Sequence, residues 1–207
     1  MDFLTFPALN HPLIRHAFTL RPECTTCCLL SQDEELERLG FPSSTCVRAE
    51  QPHGNKVARV TANDLEKTIP AVDALITNEP NVSLIIRTAD CGPVFFWDPI
   101  CKAVGLAHSG RKGTDLNLVS QTVKAMTKHF GSKPEDLIVQ LGPCIRPPYY
   151  EVDFAHEIQQ QVLCEGVRSF YDCGYNTATD FTRFYSYRME CGKTGRHQSA
   201  ICLKSDW

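Results

Sequence analysis

Between Thr88 and Gly110 the chain reads TADCGPVFFWDPICKAVGLAHSG, and no other stretch limits the possible folds as much. Val94-Phe95-Phe96-Trp97 and the apolar run from Ala103 to Ala107 flank a turn signal at Asp98-Pro99, so the segment reads as two strands joined by a turn. Neither run alternates apolar with polar residues, which marks strands buried on both faces. One strand begins beside Asp90 and Cys91 and the other ends on His108. A thiol and an imidazole at the ends of buried strands point to a functional site.

The surrounding sequence supplies the other layers. Ser31 to Leu39 opens with a capping residue, carries acids in its first turn and stops at Gly40, which predicts a short surface helix. Val57–Val60, Asp73–Thr77, Val82–Thr88 and Leu137–Leu141 read as strands. From Asp115, apolar residues recur at helical spacing until Gly131, and Phe154 to Val162 reads as a second helix. Cys173 to Thr182 reads as a loop, and Phe184–Arg188 and Ser199–Leu203 as the last strands. No repeat or low-complexity linker interrupts 207 residues, so a single mixed α/β domain is expected.

Composition removes several functions. A net charge of −3 gives no basic footprint for nucleic acid. No apolar run approaches the roughly 20 residues of a membrane helix, and the first residues lack a signal-peptide pattern, so a cytosolic protein is expected. Eleven cysteines, an odd count without a secretion signal, imply reduced thiols, most of them small buried residues. Cys24, Cys27 and Cys28 suggest a zinc knuckle, but no second CxxC or nearby CxxH completes it.

Three segments place a ligand-type side chain before glycine: Gln51-Pro52-His53-Gly54, Asp90-Cys91-Gly92 and Ala107-His108-Ser109-Gly110. The glycine would admit close backbone approach or a positive φ. Two imidazoles and a thiolate are a sound zinc set that leaves the fourth tetrahedral position open. Taken singly, each His also reads as a surface or hydrogen-bonded structural residue and Cys91 as packing, and the long separations leave both readings open.

The ordered motifs QPHG, VDALITNEP, TADCGPVFFWDP, GLAHSGRKGT, LGPCIRPPYYEV and FYSYRMECGKTGR, over residues 51 to 196, resemble the YfiH or laccase-domain family. The resemblance implies a layered α/β/β/α domain with His53, Cys91 and His108 as ligands of a metal, zinc in preference to copper. It implies purine nucleoside phosphorolysis of adenosine, inosine, guanosine and methylthioadenosine, with adenosine deamination alongside; the family's older label is copper-dependent oxidation of phenols. The partners implied are a nucleoside and phosphate, in a monomer or small homo-oligomer.

Around those ligands, Asp90 is a candidate for proton transfer or for a structural acceptor, and strand alternation would turn it away from Cys91. Gln51, Lys112 and Arg188 are candidate substrate contacts, and Arg196 a further anion contact. Where the family carries Gly-Trp-Arg-Gly, this chain has Gly110-Arg111-Lys112-Gly113, which exchanges a pocket aromatic for a cation. The N-terminal pattern and the stretch from 163 to 183 read as shortened. The same residues would also serve a cysteine hydrolase, with Cys91 as nucleophile and His108 as base, or a zinc-bound protein that binds a nucleoside without consuming it. A multicopper oxidase would need roughly a dozen ligands, mostly His, and seven histidines do not supply them.

Overall fold

The computed structural model describes residues 3–22 and 31–205. The hairpin at its centre forms as expected: β8 (Gly92–Asp98) pairs antiparallel with β9 (Ala103–Ser109), and every residue of both strands is buried. The Asp98 carboxylate closes the turn by accepting from the Ile100 and Cys101 N–H groups. Alternation then deals the apolar run to two different cores. Val94, Phe96, Ala103 and Ala107 face a helical layer, while Phe95, Trp97, Val104 and Leu106 face a second sheet.

Six strands make the sheet that holds the hairpin, in the order β11 (Ser169–Asp172), β10 (Ile138–Leu141), β8, β9, β6 (Ala74–Thr77) and β4 (Val57–Arg59). The opposing sheet runs β1 (Phe3–Leu4), β2 (Ile14–Thr19), β12 (His197–Leu203), β7 (Ser83–Thr88), β3 (Cys46–Ala49) and β5 (Thr68–Ile69). Each sheet mixes parallel and antiparallel pairs. Helices α3 (Leu118–Phe130) and α4 (Phe154–Cys164) cover the first sheet, and α1 (Gln32–Arg38) covers the second. The order of layers is therefore α/β/β/α. Gly105 lets α3 pass close over the sheet, since a Cβ there would lie 3.2 Å from Ile76 and 3.4 Å from the Met126 sulfur of α3. No described helix is long and apolar enough to cross a membrane.

Several expectations need correction. Phe184–Arg188 is no strand: its alternation buries Phe184 and Ser186, but the Phe184 N–H goes to the Asp180 carbonyl and others go to side chains, Tyr185 to His197 Nε2, Ser186 to Glu190 and Arg188 to Asp90. The helix expected from Asp115 starts later, as α3 at Leu118, and a short α2 (Arg111–Asp115) precedes it; the break between them is at Asn117, whose φ of 60° is one that Asn tolerates. Leu116 is exposed at this break. Strands β2, β3 and β11 were not expected. The thiols divide differently too: all eight described cysteines are free, but only Cys46, Cys144 and Cys202 are buried. Cys24, Cys27 and Cys28 lie outside the described residues.

Two histidines are framework. His197 donates from Nδ1 to the Thr19 carbonyl and accepts at Nε2 from the Tyr185 N–H; His16 Nε2 accepts from the Phe6 N–H. Burial pushes both down to about 4, so both are neutral in the folded state. As pH falls below about 6.5 the unfolded chain takes up these protons first, so stability is lost towards pH 4, by up to about 3 kcal/mol per group. Urea unfolding is expected to show this loss, and His197→Gln to flatten it; an unchanged pH slope in the variant would sink the assignment.

Candidate metal centre and cleft

Two loops and a strand end converge at one end of the sheets. The loop after β3 brings His53, the bend between β7 and β8 brings Cys91, and the end of β9 brings His108; their ligand atoms all lie within 4.8 Å of one another. The two imidazoles meet edge to face, with centroids 4.8 Å apart. Tetrahedral zinc with bonds of about 2.0–2.3 Å needs ligands roughly 3.5 Å apart, so small side-chain movements complete the set. The donors, one sulfur and two imidazole nitrogens, fit such an ion.

The group that organises them is Asp73, wholly buried at the head of β6. One oxygen accepts from His108 Nδ1 (3.0 Å) and from the His53 N–H (2.9 Å), and the other from the Gly54 N–H (2.6 Å). Holding Nδ1 in this way fixes the ring and leaves Nε2 for the site, the usual support of a metal-bound histidine. Sequence reading missed Asp73, although an acid heading the apolar run Ala74–Ile76 is a signal that could have found it.

Backbone strain gathers here. Gln51, His53 and Asp90 all have positive φ, at 66°, 65° and 82°. The three glycines do not; at Gly92 and Gly110 what the glycine supplies is space. A Cβ on Gly110 would lie 2.4 Å from Cys91 Sγ and one on Gly92 2.8 Å from Leu141. The bend at Ala89–Cys91 also removes the alternation that would have turned Asp90 away.

Electrostatics single out Cys91. Burial would raise its thiol, but hydrogen bonds from His108 and His53 pull it down to about 6. Burial would lower His108, but its bonds to Asp73 and Cys91 push it up to about 9. Burial instead raises Cys46 and Cys173 to about 11, and Cys144 higher still.

The cluster opens into a cleft of about 1010 Å³. Gln51, Asp90, Arg188 and Arg196 line it; Lys112 does not, because Gly110 caps α2 and the helix turns its first residue, Arg111, towards the cleft. Gln51 spends its amide on the backbone of Arg87. Asp90 accepts from the Thr177 hydroxyl and the Arg188 N–H, both at 2.7 Å, tying the 175–190 segment to the metal-site bend. Arg111 and Arg188 share Glu151, and Arg188 also lies over the Tyr150 ring.

A four-layer domain with one His-Cys-His cluster at the end of its sheets defines the class. Residues 30–163 and 153–204 match the family described as multi-copper polyphenol oxidoreductase laccase. The chain belongs to this laccase-like, YfiH family. It is 33% identical over 196 residues to purine nucleoside phosphorylase YlmD of Bacillus subtilis, covering 76% of this chain and 70% of that protein. It is 34% identical over 189 residues to a purine nucleoside phosphorylase of Deinococcus radiodurans, covering 80% and 73%. In structure it matches YlmD of Geobacillus stearothermophilus with a TM-score of 0.88 at 23% identity, covering 99% of this chain and 97% of that one. YfiH of Bacillus licheniformis matches at 0.83 and 24% identity, covering 98% and 99%.

Proposed function

We propose that the protein is a zinc-dependent purine nucleoside phosphorylase acting on adenosine, inosine, guanosine and methylthioadenosine in the cytosol, with adenosine deamination as a second activity. The observation that carries this reading is the His53, Cys91 and His108 cluster opening on an arginine-lined cleft, in a chain whose relatives bear the phosphorylase name. In phosphorolysis an oxygen of hydrogen phosphate bonds to C1′ as the C1′–N9 bond breaks. The bonding pair leaves with the base, and the proton carried by the phosphate ends on the base, giving free purine and ribose 1-phosphate.

Zinc held by the three ligands would supply a Lewis acid with one position open to a substrate oxygen. The chain's own residues do the rest. Cys91, ionised above about pH 6, is ready as a ligand at neutral pH. Asp73 keeps His108 in the tautomer that presents Nε2. Tyr150, backed by Arg188, offers an aromatic face to a purine. Asp90 holds the Arg188 segment against the cleft and thereby sets its width.

The test is the zinc-loaded protein with each nucleoside, with and without phosphate, products resolved by mass spectrometry. Phosphate-dependent release of free base supports the reading; intact nucleosides in a protein carrying stoichiometric zinc overturn it. An oxidase with several copper centres would need further ligand clusters, and among the described residues this is the one such group.

One observation favours a second reading. The hydrogen bond between Cys91 and His108, which pulls the thiol down and pushes the imidazole up, favours a thiolate–imidazolium pair, the resting form of a cysteine nucleophile. Iodoacetamide at pH 7 separates the two: a metal ligand is expected to alkylate fast without zinc and be protected by stoichiometric zinc. Equal alkylation with and without zinc would favour the hydrolase.

A further inference from the structure

Two arginines of the cleft differ from the others in how they are held. Arg87, on β7, lies opposite Gln198 of β12, and Arg196 immediately precedes that strand, so both arginines sit at the same end of the β7–β12 pair. Both line the cleft that contains the metal cluster. Arg111 and Arg188 are already paired through Glu151. Arg87 has no hydrogen bond or ion pair from its guanidinium to any of the described residues. Arg196 Nη1 donates to the Thr194 and Gly195 carbonyls, at 3.0 and 2.9 Å, and its guanidinium rests over Tyr187, which leaves Nε and Nη2 uncommitted and the charge unopposed.

The backbone of Arg87 is held more firmly than a solvated arginine requires. Strand β3 stops at Ala49, short of the register that would pair with residue 87. Gln51 takes over: Oε1 accepts from the Arg87 N–H at 2.8 Å and Nε2 donates to the Arg87 carbonyl at 2.6 Å. A side-chain amide thus replaces the missing ladder step, at the cost of a left-handed backbone at Gln51 itself. The nearby acids are engaged elsewhere, Glu50 with the Ala71 N–H and Asp90 with Thr177 and Arg188. Two guanidinium forks without an opposing carboxylate match a tetrahedral oxyanion, which each can grip through paired N–H donors.

We propose that Arg87 and Arg196 form the orthophosphate subsite of the cleft and that Gln51 is the residue that positions Arg87. Its role in turnover rests on the phosphorolysis reading; its binding role does not. Orthophosphate is titrated calorimetrically into the zinc-loaded full chain and into Arg87→Met, Arg196→Met, Gln51→Ala and the Gln51→Ala/Arg87→Met double variant, and KM is measured separately for phosphate and inosine. Each arginine variant is expected to weaken orthophosphate binding and raise the phosphate KM at least about tenfold, as loss of a charge-assisted contact requires. The inosine KM should stay within about twofold. Gln51→Ala should weaken phosphate alone, and the double variant should be no worse than Arg87→Met, because Gln51 acts through it.

Undiminished orthophosphate binding in Arg87→Met, or an equal rise in both KM values, overturns the proposal. Absence of orthophosphate binding to the unaltered protein overturns it too. Orthophosphate that binds through the two arginines to a protein without phosphorolysis leaves the subsite standing and removes the activity reading instead.

Discussion

Cys91→Ala is expected to leave a folded protein that no longer holds stoichiometric metal and phosphorolyses inosine on the order of 10³-fold more slowly, the rate equivalent of a Lewis acid worth several kcal/mol. Folding should survive because the side chain sits at a partly exposed bend and its removal opens no sealed cavity; Gly110 is the residue it presses on. The same loss is expected from His53→Ala and His108→Ala, and the three effects should not add, since each alone dismantles one centre. Metal content by mass spectrometry, read alongside turnover, is decisive. Full activity in a metal-free variant would end the metalloenzyme reading, whereas retained metal with lost turnover would move Cys91 towards the nucleophile role.

The second large effect belongs to a residue that need touch neither metal nor substrate. Asp73→Asn should lower metal affinity about 10- to 100-fold, because the carboxylate that orients His108 is replaced by an amide unable to satisfy the same donors. It should also cost about 3–5 kcal/mol of stability, since the amide NH₂ must face one of the N–H groups that Asp73 now accepts, in a site closed to water. The checks are a chelator competition for affinity and urea unfolding for stability, both at pH 7. If affinity falls with no change in unfolding, Asp73 acts on the ring alone; if neither moves, the organising role assigned to it is wrong.

What could be read in the sequence follows from how strongly each element depends on its own residues. The β8–β9 hairpin was legible because two cores demand apolar residues at every position, and α3 because Gly131, with φ of 74°, ends it where the periodicity does. Strand β2 was hidden by Arg15 and His16, the latter buried and satisfied by a backbone N–H that only the fold supplies. Phe184–Arg188 misled because alternation reports which side chains are buried and says nothing of where N–H groups find acceptors. In the site, the residues before glycine pointed to His53, Cys91 and His108, which the fold brings within 4.8 Å. Lys112 was chosen because it stands where the family has Arg after Trp; a one-residue step at the start of a helix is a rotation of about 100°, and it is Arg111 that lines the cleft.

The double burial of β8 and β9 has a bearing on how such a protein can change over generations. A substitution on either strand disturbs one packed core or the other, so the hairpin has almost no freedom to drift. Novelty must then come from the rim: the start of α2 after Gly110, the Ile145 to Glu151 loop and the Tyr187 to Arg196 segment. These carry the arginine at 111, its partner Glu151 and the arginine pair's second member. A His-Cys-His cluster fixed by a locked interior, with a border open to substitution, would let small-molecule preference change while the interior is kept.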